Sequence, residues 1–139
     1  MFSNACAISD GDSVVVTGGT FSEFSVTRYN RDGVINDPDL PYLSSGRWSH
    51  ACAKYLNDQQ ETVRHLDIND QEIKIHLDSH VQVYIVAGGS GPNGTRYNTA
   101  EILVRGAPSW VNITATIPMG PLNYFSGINL NGKVYFLGK

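Results

Sequence analysis

Short apolar runs rich in valine, isoleucine and aromatic residues recur along the chain, and each ends at glycine. The clearest are SVVVTGG, which ends at Gly18 and Gly19, VYIVAGG, which ends at Gly88 and Gly89, and KVYFLG, which ends at Gly138. Short runs that are apolar at successive positions indicate β-strands covered on both faces. An α-helix would need about ten or more residues of helical period with caps, and no segment has them. The pattern therefore predicts an all-β fold.

The glycine pairs have a predicted physical role of their own. Glycine adopts positive φ easily, and because it lacks a Cβ it allows a neighbouring backbone or a large side chain to come close. We expect the paired glycines that follow the apolar strands to do both.

Aligning the runs on their glycines reveals a repeated unit of four short strands. A strand of small residues precedes each apolar run, and a polar loop, a third strand and a weaker fourth strand follow it. A proline-containing link then leads to the next unit. The predicted units are residues 1–46, residues 47–121 with a hairpin insert at 57–80, and residues 122–139, which form only the first half of a third, truncated unit.

This unit resembles the kelch repeat, which forms one blade of a β-propeller. The residues that carry the likeness include the glycine pairs and a link-and-strand segment, LPYLSSGRWSHACA, which contains Arg47 and His50. About two and a half repeats cover nearly the whole chain. The resemblance therefore implies a partial kelch-type β-propeller with four-stranded antiparallel blades.

The kelch pattern also places a tyrosine on the third strand and a tryptophan further along, and both pack between neighbouring blades. The first unit keeps the tyrosine as Tyr29, and Asn36 stands at the tryptophan position. The second unit keeps the tryptophan as Trp110, and Leu103 stands at the tyrosine position. Val34 is expected to fill the space of the tryptophan that the first unit lacks.

The number of repeats raises the question of how the fold is completed. A β-propeller has about four to eight blades. Two and a half blades alone would expose unpaired strand edges, which natural proteins avoid. We therefore expect a fragment of a longer propeller, with the remaining blades missing from this chain. The alternative is a small open sheet stabilised by self-association.

The insert at 57–80, NDQQETVRHLDINDQEIKIHLDSH, becomes apolar at alternate positions in its second half. This period predicts a long hairpin that turns near Asn69 and Asp70 and extends past the propeller face. Because extended loops on rigid scaffolds are frequent recognition sites, Asp67, Asn69 and Asp70 are candidate contacts for a protein partner. The alternative is a tolerated surface insertion. Its His and Asp residues resemble metal ligands, but such residues on a polar loop are usually only solvated, and no metal site is predicted.

Arg47 and His50 look like a possible catalytic pair. In kelch blades their segment leads into the innermost strand, so the resemblance implies a structural role, with ligand contact at the channel mouth as the alternative. Cys6 and Cys52 occupy equivalent positions in successive first strands. Equivalent positions on neighbouring blades are expected to exceed the roughly 7 Å between Cα atoms that a disulfide allows. Buried thiols are therefore predicted.

The sequence gives little support for an enzyme. The segment GGSGPNGT lacks the Lys-Ser/Thr ending of a phosphate loop, and no helix follows it. The copper site of galactose oxidase, which has a kelch propeller, maps onto no residue here. We predict no catalytic residues and no cofactor.

Composition narrows the choice of partner. The 139 residues carry a net charge of −3 without a basic stripe, which argues against nucleic acid. No apolar run approaches the roughly 20 residues of a membrane span, and the first residues show no secretory signal. Two N-glycosylation sequons begin at Asn93 and Asn112. A cytoplasmic and a secreted location both remain open.

The most favoured function is non-catalytic recognition of a protein partner by blade loops, namely 20–25, 91–97 and the 57–80 hairpin. Many kelch proteins are substrate adaptors of cullin-type ubiquitin ligases through an added BTB domain, which is not present in this sequence, and others bind actin or act outside the cell. The alternatives are an extracellular matrix or carbohydrate-binding glycoprotein and, less favoured, a galactose-oxidase-like enzyme.

Overall fold

The computed structural model of the chain describes residues 3–35, 37, 40–57, 63–68, 71–76, 81–116, 126–130 and 133–137. These residues form twelve β-strands and one short 3-10 turn, Pro92–Gly94, and none of them lies in an α-helix. The predicted all-β class is confirmed. The strands make three four-stranded sheets.

The first sheet is an antiparallel meander of consecutive strands. Its members, in spatial order, are β1 (Cys6–Asp10), β2 (Ser13–Thr17), β3 (Val26–Asn30) and β4 (Gly33–Ile35). Tight turns connect β1 to β2 and β3 to β4, and Gly11, with φ +64°, allows the first of them. In the turn after β3, the Asn30 Oδ1 atom accepts a hydrogen bond of 2.8 Å from the backbone N–H of Asp32.

The second sheet has the same plan but is interrupted by the insert. Its members, in chain order, are β5 (Ala51–Asn57), β8 (Val81–Ala87), β9 (Thr99–Val104) and β10 (Val111–Thr116), and all neighbouring pairs are antiparallel. The four strands that the sequence predicts in each of the first two units are therefore all present.

The third sheet combines the last predicted unit with the insert. The last unit supplies β11 (Ser126–Leu130) and β12 (Lys133–Leu137), and the insert supplies β6 (Val63–Ile68) and β7 (Gln71–His76) as an antiparallel hairpin. The predicted hairpin is confirmed, although Asn69 and Asp70 at its turn lie outside the described residues. The sequence analysis did not anticipate that β6 pairs in parallel with β12. This pairing satisfies backbone groups along a strand edge that would otherwise be unpaired.

The second sheet lies between the other two, and its central strand is apolar on both faces for that reason. Val83 and Ile85 pack with Val134 and Phe136 of the third sheet. The alternate residues of β8 pack against the first sheet, in a cluster made of Ile8, Val15, Val26, Leu43, Cys52, Tyr84, Val86, Leu103 and Trp110. Burial on both faces explains the continuous apolar run that the sequence shows here.

The glycine pairs act as the sequence predicts. Gly18, Gly19, Gly88 and Gly89 all have positive φ. A Cβ on Gly18 would collide with the carbonyl oxygen of Arg47, and one on Gly89 would lie 2.6 Å from the carbonyl oxygen of Trp48. The pairs thus allow one segment, the link that contains Arg47, to pass closely between the first two sheets. Gly138 lies outside the described residues.

Candidate functional site

The link at 40–50 connects β4 to β5 and is held by loops from both neighbouring sheets. On one side, the N–H of Arg47 donates to the Glu23 carbonyl at 2.8 Å and the Arg47 carbonyl accepts from Gly19 N–H at 2.9 Å. On the other side, Trp48 and Ser90 exchange both backbone hydrogen bonds, at 2.8 and 2.9 Å. The β2–β3 loop, the link and the β8–β9 loop therefore share one end of the molecule, which we call the loop end.

Arg47 is fully buried beneath the loop end and forms an ion pair with Glu101 of β9. Its Nε lies 3.0 Å from Glu101 Oε2, and both side chains have no solvent exposure. Its Nη1 donates to the carbonyls of Gly88 at 2.8 Å and Thr99 at 3.1 Å. The Tyr97 ring covers the guanidinium, with 4.5 Å between the ring centroid and Cζ. Burial lowers the pKa of Arg47, and the Glu101 carboxylate opposes that shift. Because neither side chain reaches solvent, the pair serves to hold the link in place.

Glu101 is the residue of this pair that the sequence analysis missed. Its carboxylate also accepts the backbone N–H groups of Ser44 at 2.8 Å and Ser45 at 3.2 Å. One carboxylate thus joins β9 to the link by both charge and hydrogen bonds. The sequence does carry a sign of this role, which is a glutamate inside the apolar strand sequence AEILV. A carboxylate buried in such a strand requires a cation or hydrogen-bond donors beside it.

His50 is also enclosed, with 4% of its surface exposed. Its Nε2 lies 2.8 Å from Thr17 Oγ1, and that hydroxyl lies 3.4 Å from the carbonyl of Cys6. Burial, reinforced by the charge of Arg47, lowers the pKa of His50 to about 3. The imidazole is therefore neutral at pH 7. With the proton on Nε2, it donates to Thr17 and Thr17 donates to the Cys6 carbonyl, whereas the buried Nδ1 has no hydrogen-bond partner among the described residues.

Cys6 and Cys52 form a disulfide bond, so the prediction of two buried thiols is wrong. The Cα atoms are 6.0 Å apart, which is within the range that a disulfide spans. The spacing is short because β1 and β5, the first strands of neighbouring sheets, contact each other directly. Both cysteines of the chain are used in this bond.

One edge strand from each sheet, namely β1, β5 and β11, lines a cavity of about 300 Å³. Small residues dominate its wall, with Ala7 and Ser9 from β1, Ala53 from β5 and Gly127 from β11. Lys54 is the charged residue of the lining, and its Nζ lies 3.4 Å from Asp10 Oδ1. Small side chains allow the three strands to approach one another around this space.

Asp10 is the centre of a second polar cluster, at the end of the sheets opposite the loop end. Its Oδ2 accepts hydrogen bonds from Arg28 Nη1 at 2.7 Å and Tyr84 Oη at 2.5 Å. Its Oδ1 accepts from Gln82 Nε2 at 2.5 Å as well as from Lys54. Burial raises the pKa of Asp10, but the hydrogen bonds from these four donors outweigh it and hold the pKa well below the ordinary value of 3.8. The carboxylate joins the first sheet to the second.

We expect Asp10→Asn to lower the free energy of unfolding by about 2 kcal/mol at pH 7, the usual loss for hydrogen bonds to a charged group. The folded-state pKa is depressed, so the stabilisation is present above the unfolded-state value of 3.8 and disappears as pH falls below it. Denaturant unfolding between about pH 7 and about pH 2 should therefore show a weaker acid dependence in the variant. Asp12→Asn, at an exposed position in the adjoining turn, is the matched control. An equal pH dependence in all three proteins would contradict this account.

The loop end displays three exposed aromatic rings. Phe21 is 93% exposed, Tyr42 is 74% exposed and Phe24 is 44% exposed. Phe21 also has a φ of +67°, which is rare for a bulky residue and is maintained only where surrounding structure enforces it. Backbone hydrogen bonds hold the loop that contains Phe21. The N–H of Gly18 donates to the Ser25 carbonyl at 2.8 Å, and the N–H of Leu43 donates to the Phe24 carbonyl at 2.9 Å.

The three loops proposed from the sequence do not form one surface. The 20–25 and 91–97 loops lie at the loop end, but the 57–80 insert leaves the second sheet at the opposite end. The strand register shows this, because Ala51 pairs with Ala87 beside the loop end and Asn57 pairs with Val81 at the other. Asp67 lies on β6 opposite Tyr135.

The remaining sequence marks lie in different environments. Trp110 is buried between the first two sheets, and its Nε1 donates to the Pro41 carbonyl at 3.0 Å. Tyr29 lies on β3, partly buried, opposite Val14 and Val34. Val34 does not fill a buried space, since it is 67% exposed. Within the described parts of the chain, no group of three or more His, Cys, Asp and Glu residues is arranged to hold a metal ion.

Comparison of the sequence with models of known protein families and with curated proteins finds no match to either. None of the described segments contains a helix with the length and apolar character needed to cross a membrane.

Proposed function

We propose that this chain is a non-catalytic protein-binding module from a longer kelch-type β-propeller, in which the first two sheets are consecutive blades and β11 with β12 forms the first half of a third. The observation that carries the binding role is the set of exposed aromatic rings at the loop end, held on a hydrogen-bonded backbone. The sequence marks of the kelch repeat and the antiparallel order of the four strands in each of the first two sheets support the propeller assignment.

The relative placement of the sheets also favours blades around an axis. In a propeller, the first strand of each blade lies nearest the centre and successive blades pack face to face. Here the first strands β1, β5 and β11 are neighbours around one cavity, and the second sheet is covered on both faces. Further blades packed on the outer sheets would extend the same arrangement.

Protein binding is the role best supported for the loop end because of the side chains that it exposes. Aromatic residues are enriched at the centres of protein interfaces, where each ring buries a large area at little entropic cost. Phe21 and Tyr42 are both mostly exposed. Phe21 lies on the β2–β3 loop and Tyr42 on the link, and backbone hydrogen bonds join these two segments. A preorganised backbone lowers the ordering cost of association.

Catalysis is disfavoured by the environment of the residues that first suggested it. Arg47 is fully buried and engaged with Glu101, and His50 is buried and hydrogen-bonded to Thr17. Lys54 faces the cavity but lies beside the carboxylate of Asp10. Each of these groups is used to join one part of the fold to another.

The binding role is tested by removing the two most exposed rings together. Phe21→Asn suits a backbone with positive φ, and Tyr42→Ser removes the second ring. Against a partner captured by the wild-type chain and then purified, we expect the double variant to lose about 30-fold in affinity, equivalent to about 2 kcal/mol for interface hot spots. The affinity is measured by biolayer interferometry, with unfolding curves to verify that both proteins are folded.

The matched control is Val34→Ser with Val111→Ser, which removes two exposed apolar side chains, 67% and 57% exposed, from outer strands. This control should bind the partner within about twofold of wild type, as expected away from a hot spot. Equal binding by the loop-end variant and the wild type, or a greater loss in the control, would disprove the role proposed for the loop end.

A further inference from the structure

Two features of the chain are unused by the binding proposal: the turn at 91–95 and the disulfide bond. We propose that Asn93 carries an N-linked glycan and that the chain folds in an oxidising secretory compartment, where its disulfide bond forms. This inference does not depend on the identity of any partner or on the number of blades.

The sequon Asn93-Gly94-Thr95 occupies the exposed tip of a tight turn. All three residues are exposed, whereas Ser90 and Gly91 at the base of the turn are buried. Asn93 has φ +61°, and a Cβ placed on Gly94 would meet no atom within 4 Å. The space around the acceptor side chain is therefore open to a bulky substituent.

The backbone of the turn is closed independently of the asparagine side chain. Gly91 N–H donates to the Thr95 carbonyl at 2.7 Å, and Thr95 N–H donates to the Pro92 carbonyl at 3.4 Å. No hydrogen bond of the fold described here uses the Asn93 amide. A glycan on Asn93 would then leave the turn and the sheets below it unchanged.

The second observation is the bond between Cys6 and Cys52, which uses both cysteines of the chain. Disulfides that join structural elements persist in oxidising compartments and are rare where cellular thiols keep cysteines reduced. An N-glycosylation sequon is used only in proteins that enter the secretory route. The two features involve different residues, and both point to the same compartment.

Glycan transfer to Asn93 and disulfide formation both use co-reactants that this compartment supplies. In glycosylation, the Asn93 Nδ2 forms a bond to the anomeric carbon of a lipid-diphosphate-linked oligosaccharide. The bond from that carbon to the diphosphate oxygen breaks, Nδ2 gives up one proton, and the lipid diphosphate leaves. In bridge formation, Cys6 and Cys52 lose two protons and two electrons to the disulfide of a protein oxidant, which becomes a dithiol.

The second sequon, Asn112-Ile113-Thr114, is the natural internal comparison. Asn112 is exposed on β10, the outermost strand of the second sheet, but its strand is hydrogen-bonded to β9. Asn93 instead lies in a projecting turn. The proposal is therefore made for Asn93, and occupancy at Asn112 is measured alongside it.

The test examines the protein isolated from its own source and the 139-residue chain directed into the secretory pathway of cultured animal cells by a cleavable leader. Peptide mass spectrometry without reduction, before and after peptide N-glycosidase, locates glycan and disulfide in both. Two variants of the expressed chain accompany it: Thr95→Val, which destroys the sequon while leaving Asn93 in place, and Thr95→Ser, which keeps a functional sequon.

We expect a glycopeptide that contains Asn93 in the natural protein and in Thr95→Ser, its loss in Thr95→Val, and a linked peptide pair from Cys6 and Cys52. Unmodified Asn93 throughout the natural protein, glycan at Asn112 alone, or alkylatable free thiols at both cysteines would overturn the proposal. A chain that is glycosylated but binds no partner would support this inference and count against the binding role, so the two proposals fail separately.

Discussion

Replacing Cys6 and Cys52 together by alanine is expected to lower the free energy of unfolding by about 4 kcal/mol. The bond joins residues 46 positions apart, and the loop-closure entropy that such a link removes from the unfolded chain corresponds to about 4 kcal/mol. Because a domain has only about 5–15 kcal/mol of total stability, this loss is a large fraction of it. Guanidinium unfolding of the oxidised chain and the variant measures the difference.

Reduction of the wild-type protein supplies an independent check on the same quantity. The reduced chain should unfold at a denaturant midpoint close to that of the double variant, and the reductant should not change the variant. The denaturant dependence should also be steeper without the link, since the unfolded chain then exposes more surface. A stability loss below about 1 kcal/mol, well under the usual range for a native disulfide, would mean that the link contributes little to the fold.

Breaking the buried ion pair between Arg47 and Glu101 is expected to lower the free energy of unfolding by a similarly large amount. Arg47→Met leaves the Glu101 carboxylate buried without its cation, and Glu101→Gln leaves the guanidinium without its anion. Removal of one partner of a buried pair typically costs about 3–5 kcal/mol, because an uncompensated charge remains in the interior. Each single variant should therefore show a loss of this size in denaturant unfolding.

The double variant Arg47→Met with Glu101→Gln distinguishes charge burial from general damage to the site. It removes both charges and keeps an amide oxygen that accepts one of the two N–H groups of Ser44 and Ser45, which bond to different oxygens of Glu101. Its stability loss should be clearly smaller than the sum of the two single losses. Arg96→Met, at an exposed position of the loop end, should change stability by about 0.5 kcal/mol or less. If the stability loss of the double variant equals the sum of the two single losses, the ion-pair explanation is contradicted.

Most of the strand pattern could be predicted from the sequence because it depends on local constraints. Apolar residues at successive positions of β8 reflect packing on both faces, and this requirement is visible in the residues themselves. The glycines at 18–19 and 88–89 mark positions where positive φ and close approach are both required. Such constraints locate the strands and their repeat without any knowledge of how the sheets pack.

The parts that could not be predicted depend on distances between elements. The pairing of Cys6 with Cys52 requires the first strands of two sheets to approach within 6.0 Å at those Cα atoms, and strand pattern alone does not give that distance. The role of Glu101 depends on a link that passes beneath β9. Small residues in the first strands, such as Ala7 and Ala53, were the local sign of a close approach.

The parallel pairing of β6 with β12 affects the order in which the chain is able to fold. The first sheet consists of neighbours in sequence, and each of its hairpins forms from adjacent residues. The third sheet instead joins two stretches separated by roughly half the chain, with the whole remainder of the second sheet between them. Closing so long a segment carries an entropic cost before any contact compensates for it, and such pairings form slowly. We therefore expect the third sheet to assemble last, after the second sheet has brought its two halves together.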